Sequence, residues 1–437
     1  MIKLGGVFLS RPKNTGESAP EAMPVPPEVR LPMSMHSGTP ASPVVNVGDY
    51  VKAGQVIGEA AGTVSSPVHA SVSGTVKSID YINSLTGEKA VTITITSDGR
   101  QIPWEGIKPP PQITTWAGFL EAVKNSGAVE PDGAGYPTVH ELMLKNYNKL
   151  DYILINGLEG EPYVTSDARA MTDDVEYVWE GARLLKMYLS TRKLIICIED
   201  NNAQAIKKMK ELSAGAGGIE VRALPPLYPQ GQRNVLVYNV TGRIPPEGER
   251  LPDIGCIVIN CTTVAAIAKY IKTGHPLISK CVTVDGPAVK EPKNVIVPMG
   301  TPVSTLFDYC GGLKDDVKKI ILGGPMTGTA IPNTGIPIVK TTNAVLAFSE
   351  ENAAPPEASV CIKCGRCVTT CPMRLMLPSI ESAYELKKYE LFRKFKVAMC
   401  AACGCCTYSC PAKRPLAQVM ALSKDILKRM SEREKSE

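Results

Sequence analysis

The 437-residue sequence predicts a multidomain α/β protein with a compact all-β module in front and a small helical, cysteine-rich domain behind. Three observations carry this prediction. From Pro43 the chain is short apolar runs punctuated by Gly and Pro; from about residue 115 strand-like and helix-like stretches alternate; and nine of the fourteen cysteines fall between residues 361 and 411. The chain is also too long for one hydrophobic core. Its composition divides it into regions 1–105, 112–250, 251–350 and 355–437.

Residues 1 to about 30, rich in Pro and polar residues, read as an extended arm. The stretch PVVNVGDYVKAGQVIGEAAGTVSSPVHASVSGTVKSID that follows reads as short strands joined by tight turns. Its GDxVxxGQ turn and SPVHASVSGTV segment resemble the barrel-sandwich hybrid fold of biotinyl and lipoyl carriers. A carrier needs a lysine at its hairpin tip, and Ala61 and Gly62 stand there instead, so the module is expected to be structural or to serve docking.

In the second region LDYILING leads into DDVEYVWEGARLLKMYLS, RKLIICIED into NAQAIKKMKELSAG, and IEVRAL into a loop and another helix. Such alternation predicts a Rossmann-like parallel sheet with helical crossovers, and ligands in that architecture bind beyond the carboxyl ends of the strands. Asn156, Glu159 and Glu161 follow the first strand; Glu199, Asp200 and Asn201 the second; Tyr228, Gln230 and Gly231 the third. DGAGYPT adds Gly133 and Gly135, which would let backbone amides approach a phosphate. Each loop alone is ordinary turn chemistry; together they point to one ligand site on one sheet edge. From Asp253 to about Ser349 two strands and a helix suit a small β-grasp unit, and ENAAPPEA reads as a linker.

The last region contains CxxCxxCxxxCP twice, at Cys361, Cys364, Cys367 and Cys371, then at Cys400, Cys403, Cys406 and Cys410. This is the spacing of two-cluster 4Fe-4S ferredoxins, in which the fourth cysteine of each run ligates the other cluster. The expected ligand sets are therefore Cys361, Cys364, Cys367 and Cys410 for one cluster, and Cys400, Cys403, Cys406 and Cys371 for the other. Zinc knuckles also use CxxC pairs, but need neither the third close cysteine nor the proline. Cys405 is left over. The five scattered cysteines (Cys197, Cys256, Cys261, Cys281, Cys310) sit in apolar text and read as small buried hydrophobes. Between the motifs, Ile380, Tyr384, Leu391, Phe395 and Met399 recur at helical spacing and predict one helix. Lys387, Lys388, Arg393, Lys394 and Lys396 crowd the same segment, where an acidic redox partner would dock.

A net charge of +5 is small for this length and gives no reason to expect a nucleic acid partner. No stretch approaches ~20 uninterrupted apolar residues, so no transmembrane segment is expected and membrane association would come only through partners. Nothing at the amino terminus reads as a signal peptide, so a reducing compartment is expected.

The order of these parts, with NGLEGEPY, IEDNN and LYPQG in the middle, resembles the RnfC family, a component of the Rnf ferredoxin:NAD oxidoreductase complex, over nearly the whole chain. The central part is similar to the flavin- and NADH-binding subunit of respiratory complex I. The resemblance implies an SLBB-like β-grasp unit and two 4Fe-4S clusters. It implies FMN held near Asn156, Glu159, Glu161, Glu199, Asp200, Asn201, Tyr228 and Gly231, and NAD(H) as substrate. It further implies redox-protein partners, either ferredoxin or other subunits, and a place on the cytoplasmic face of a membrane. It names no catalytic residue. Asn156, Glu159, Glu161, Pro162, Tyr163, Asp167 and Arg169 match the family's NGxECEPYxTxDxR. Elsewhere the chain departs: Glu130 and Asp132 stand for glycines, Glu141 for a lysine, Arg233 for a glutamate, and GGVFLSRP for GGVHPP. Carboxylates beside a phosphate loop are electrostatically adverse, so altered nucleotide binding is expected. An alternative is a soluble iron–sulfur relay with a decayed flavin site, feeding a cobalamin- or amino-acid-reductase type of partner.

Overall fold

The computed structural model describes residues 5–83, 89–132, 135–144 and 150–436. In the leading module, strands Glu28–Pro32, Tyr50–Val51, Gly74–Asn83 and Lys89–Ser97 form one sheet, and Ser42–Pro43, Val56–Glu59 and Val68–His69 a second. Alternation along the strands sends Val29, Leu31, Ile57, Val68, Ile93 and Ile95 into a shared core. The module is fastened to its neighbours by Lys340, whose buried ammonium donates to Ser66 Oγ (3.2 Å), Pro67 O (2.7 Å) and Gly127 O (2.7 Å).

The central sheet is wholly parallel, in the order Ile219–Leu224, Lys193–Glu199, Tyr152–Gly157, Cys256–Asn260. Strands Tyr152–Gly157, Lys193–Glu199 and Cys256–Asn260 are largely apolar because helices cover both faces, whereas the edge strand Ile219–Leu224 carries the Glu220–Arg222 ion pair. The fourth strand corrects the division at residue 250. Cys256–Asn260 pairs with Tyr152–Gly157, with Asn260 opposite Asn156, and the helix Cys261–Thr273 packs on Val175–Tyr188. A composition shift marks where the loop 242–250 turns polar, not which sheet the next strand joins.

The third unit is a six-stranded sheet, ordered Glu21–Ala22, Lys293–Pro298, Ser279–Asp285, Ala344–Ser349, Val317–Leu322, Thr329–Ala330, with helix Val303–Tyr309 among its elements. Its first strand belongs to the amino-terminal arm, and Met23 enters its core. The extended arm is thus a built part of the structure, adding an edge strand to this sheet.

The last region is helical: Arg366–Thr369, Leu377–Glu385, Leu391–Lys394, Cys405–Tyr408 and Leu416–Ser436. The single helix expected between the motifs is two helices separated by a turn, with Lys387 at φ 56°. A helix over residues 378–399 would be about 33 Å long, too long for a domain whose two cysteine motifs must meet. The apolar periodicity is nevertheless informative, because Ile380, Tyr384, Leu391, Phe395 and Met399 all join one core. The motifs repeat in backbone detail: Lys363 and Ala402, Gly365 and Gly404, and Arg374 and Lys413 are matched pairs with positive φ. No helix among the described residues is long and apolar enough to cross a membrane.

Candidate functional site

A cavity of about 530 Å³ lies at the carboxyl edge of the central sheet. Three units wall it: Asp132, Asn156, Leu158–Glu161, Asp167, Tyr228, Pro229 and Gly231–Arg233 from the central domain; Leu322–Gly324, Thr327–Thr329 and Thr341–Asn343 from the β-grasp unit; and Ala401–Cys403 from the second cysteine motif. Gly160, Gly231, Gly323, Gly324 and Gly328 contribute bare backbone to the walls.

Asn156, the last polar residue of its strand, donates from Nδ2 to Gly231 O (3.0 Å) and accepts from Leu158 N (3.3 Å), tying the first strand-end loop to the third. Glu159 accepts from Asp167 N at 2.7 Å; burial, with the nearby Asp167 charge, pushes its carboxyl up to about 8. Asp167 accepts from Asn260 Nδ2 at 2.7 Å and is likewise raised, chiefly by burial. Asp132 is raised to about 6, by partial desolvation and by the Asp167 charge, although its side chain is solvent-exposed. Glu159 therefore holds its proton near neutral pH, since ionising it beside the enclosed Asp167 is costly.

Glu161 reaches the β-grasp loop, accepting from Met326 N (2.9 Å) and Thr327 Oγ1 (2.6 Å). Tyr228 spans the cavity's other junction, its Oη donating to Cys403 O at 2.8 Å. Asn156, Glu159, Glu161, Tyr228 and Gly231 thus line one cavity. The second strand end is not part of the cavity wall: Glu199 accepts a two-fold hydrogen bond from Arg11 Nη1 (2.8 and 3.0 Å), and Asp200 and Asn201 are exposed. Gly135 belongs to the junction with the β module, where its carbonyl accepts from Ser37 N and an added Cβ would meet Thr341 at 2.6 Å. Gly133 lies outside the described residues.

The acidic departures have separate fates. Glu130 is buried and accepts from Asn260 N at 3.0 Å, bracing the start of the last central helix; burial pushes it up to about 8. Glu141 pairs with Arg233, which also donates to Val258 O and lines the cavity. Sequence reading missed the β-grasp loops, although GGPMTG at 323–328 is a glycine-rich signal, and missed Arg11 and Lys13, for which there was no signal. Lys13 Nζ donates to Glu159 O (3.0 Å), Glu161 O (2.9 Å) and Val164 O, and burial lowers its pKa.

The cysteines segregate. Burial raises the Cys367, Cys371 and Cys406 thiols, with Cys410 and Cys361 adding to it at Cys367, Cys403 and Cys400 at Cys371, and Cys403, Cys400 and Cys371 at Cys406. Cys410 is thus a neighbour of Cys367, and Cys371 of Cys400 and Cys403. Backbone amides aim at two of the sulfurs, Leu375 N at Cys371 Sγ and Ala402 N at Cys400 Sγ, both at 3.4 Å. Among the described residues no three His, Cys, Asp or Glu converge as ligands of a lone metal ion. Cys405 is fully buried against Val7, Tyr228 and Met326. The first motif faces outward: Cys364 is exposed, as are Val360 (83%) and Ile362 (67%) beside it.

Four family models match the chain in order: an RnfC barrel-sandwich hybrid domain over residues 3–100, a Nuo51 FMN-binding domain over 123–269, an SLBB domain over 281–330 and a 4Fe-4S dicluster domain over 356–411. The second match runs past the fourth strand of the central sheet. The chain is 38% identical to the C-subunit of the proton-translocating ferredoxin:NAD(+) oxidoreductase complex of Clostridium ljungdahlii, covering 85% of this chain and 82% of that one. It is 36% identical to the C-subunit of the Na(+)-translocating complex of Acetobacterium woodii, covering 85% and 84%. In fold it is similar to an air-oxidized NAD(+)-reducing NiFe hydrogenase, with a TM-score of 0.50 and 17% identity over 64% of this chain and 54% of that one.

Proposed function

Because the chain belongs to the RnfC family of ferredoxin:NAD oxidoreductase subunits, we propose that it passes electrons between an FMN and NAD(H) site and partner redox proteins through two 4Fe-4S clusters. One observation carries this reading: the cavity at the edge of the FMN-type sheet is closed by Ala401–Cys403, the loop of the second cysteine motif, with Tyr228 bonded to Cys403. A ligand there lies directly against a cluster loop.

The residues fit both groups. A cavity of this size suits a cofactor-sized ligand, its glycine-lined walls admit a flat ring, and Arg233 keeps a buried Nε without a partner. Asn156, Glu159, Tyr228 and Gly231 would hold the flavin, which supplies the conversion of a two-electron hydride into single electrons. Glu159, with its raised carboxyl, holds a proton at the wall and can exchange it as the charge of the site changes. The grouping of the thiols supports Cys361, Cys364, Cys367 and Cys410 as ligands of the outer cluster, and Cys400, Cys403, Cys406 and Cys371 of the inner one. The outer cluster's exposed surroundings make it the exit towards a partner subunit or ferredoxin. A family role in a membrane complex then gives a peripheral seat on partner subunits.

The relay reading draws support from the carboxylates at Asp132 and Glu141 and from the absence of Glu199, Asp200 and Asn201 from the cavity wall. The two readings separate on one measurement: fluorescence of the supernatant after heat denaturation of freshly purified protein. Free FMN in near-equal amount to protein supports the oxidoreductase; none after incubation with excess FMN supports the relay.

A further inference from the structure

Residues 5–18 are tied to three different units. Gly5 lies against the cluster domain, where an added Cβ would stand 2.5 Å from the carbonyl of Cys371, and at Gly6 it would stand 2.8 Å from that of Tyr228. Val7 exchanges two backbone hydrogen bonds with Tyr228, at 2.8 and 3.1 Å. Arg11 then grips Glu199, Pro12 O accepts from Tyr163 N at 2.7 Å, and Lys13 gathers the carbonyls of Glu159, Glu161 and Val164. Beyond these, Asn14 donates to Asp285 at 2.8 Å, and Thr15 O accepts from Asn294 Nδ2 at 2.9 Å. Both of these partners are in the β-grasp unit.

We propose that this segment is a positioning strap that sets the inner cluster against the cavity, so that electron passage between the two depends on Gly5, Gly6, Arg11 and Lys13 although none of the four lines the cavity. The inference rests on the function proposed above. The strap touches both Cys371, the distant ligand proposed for the inner cluster, and Tyr228, the cavity-wall residue that bonds Cys403. Electron transfer falls off exponentially with separation, so a slackened strap slows it without altering either centre. The electron count closes within the chain: NADH yields NAD(+), one proton and two electrons, and each cluster accepts one electron.

Two variants test this in the cluster- and flavin-loaded protein. G5V/G6V forces the strap off Cys371 and Tyr228, and Arg11→Met with Lys13→Met cuts its side-chain ties. Hydrogen exchange at residues 5–13 and 226–232 reports whether the strap has let go. Both variants are expected to keep parental iron and flavin content, to exchange faster at those residues, and to show flavin reduction by NADH within about twofold of the parent but cluster reduction slowed by about tenfold or more. Released exchange with cluster reduction at the parental rate overturns the proposal, as does unchanged exchange in both variants. If the parent's flavin accepts nothing from NADH, the proposed reaction has failed instead, and the strap is judged by the same comparison with photoreduced flavin.

Discussion

Glu141 and Arg233 form an ion pair at the cavity rim, so two departures from the family pattern are one exchange of charge. Where the family sets lysine at the first position and glutamate at the second, this chain reverses them. The lost lysine therefore does not leave the site without a cation; it moves to the opposite partner. Both side chains are mostly buried, at 13% and 26% exposure, which makes leaving either one alone costly.

Glu141→Lys and Arg233→Glu alone should each weaken FMN binding about tenfold and lower the denaturation midpoint, while the double variant recovers both, with a coupling of about 1–3 kcal/mol. Flavin titration and urea unfolding read the two effects. Strictly additive losses would mean that the pair is incidental.

The ligand sets predict an asymmetric cysteine response. Parent protein reconstituted without oxygen should hold about eight irons, Cys371→Ser or Cys403→Ser about four, and Cys405→Ser the full complement. Iron analysis with EPR decides it. Loss of a cluster in Cys405→Ser with Cys406→Ser tolerated would move the register.

Glu130 makes a pH prediction. Its folded carboxyl is raised from 4.5 to about 8 by burial, so the native state holds a proton that the unfolded chain has already released. Stability from this group is intact below about pH 4.5 and falls as the pH rises towards 8. Glu130→Gln keeps an acceptor for Asn260 N and removes the titration. The variant should match the parent near pH 5 and exceed it by on the order of a few kcal/mol at pH 8. A gap that does not widen between these values would refute the assignment.

Lys387, Lys388 and Lys394 are exposed on the cluster domain, in the segment between its two motifs. Arg393 and Lys396 are already engaged, by Glu434 and Glu247. Reversing the three lysines should slow electron exchange with an acidic ferredoxin about tenfold at low salt and flatten its salt dependence, with flavin and iron content unchanged. Equal rates at low salt would send the docking surface elsewhere.

Much of this protein is written locally. The cysteine spacing, the apolar strands followed by polar loops, and the periodicity from Ile380 to Met399 are short-range patterns, because cluster loops, strands and helices each impose a period on neighbouring residues. They determined the order of the units, the cluster type, and five of the residues around the cavity. What they could not carry is pairing between distant residues. That Cys256–Asn260 completes the central sheet, that Glu199 turns to Arg11 and away from the cavity, that Glu141 answers Arg233, and that residues 5–18 lace three units together all depend on contacts across roughly 90 to 370 positions. Such contacts leave no periodic trace, since a lone Arg or Gly looks the same in sequence whether it faces solvent or a partner. Only burial, which removes water as the competing partner, makes those pairings specific.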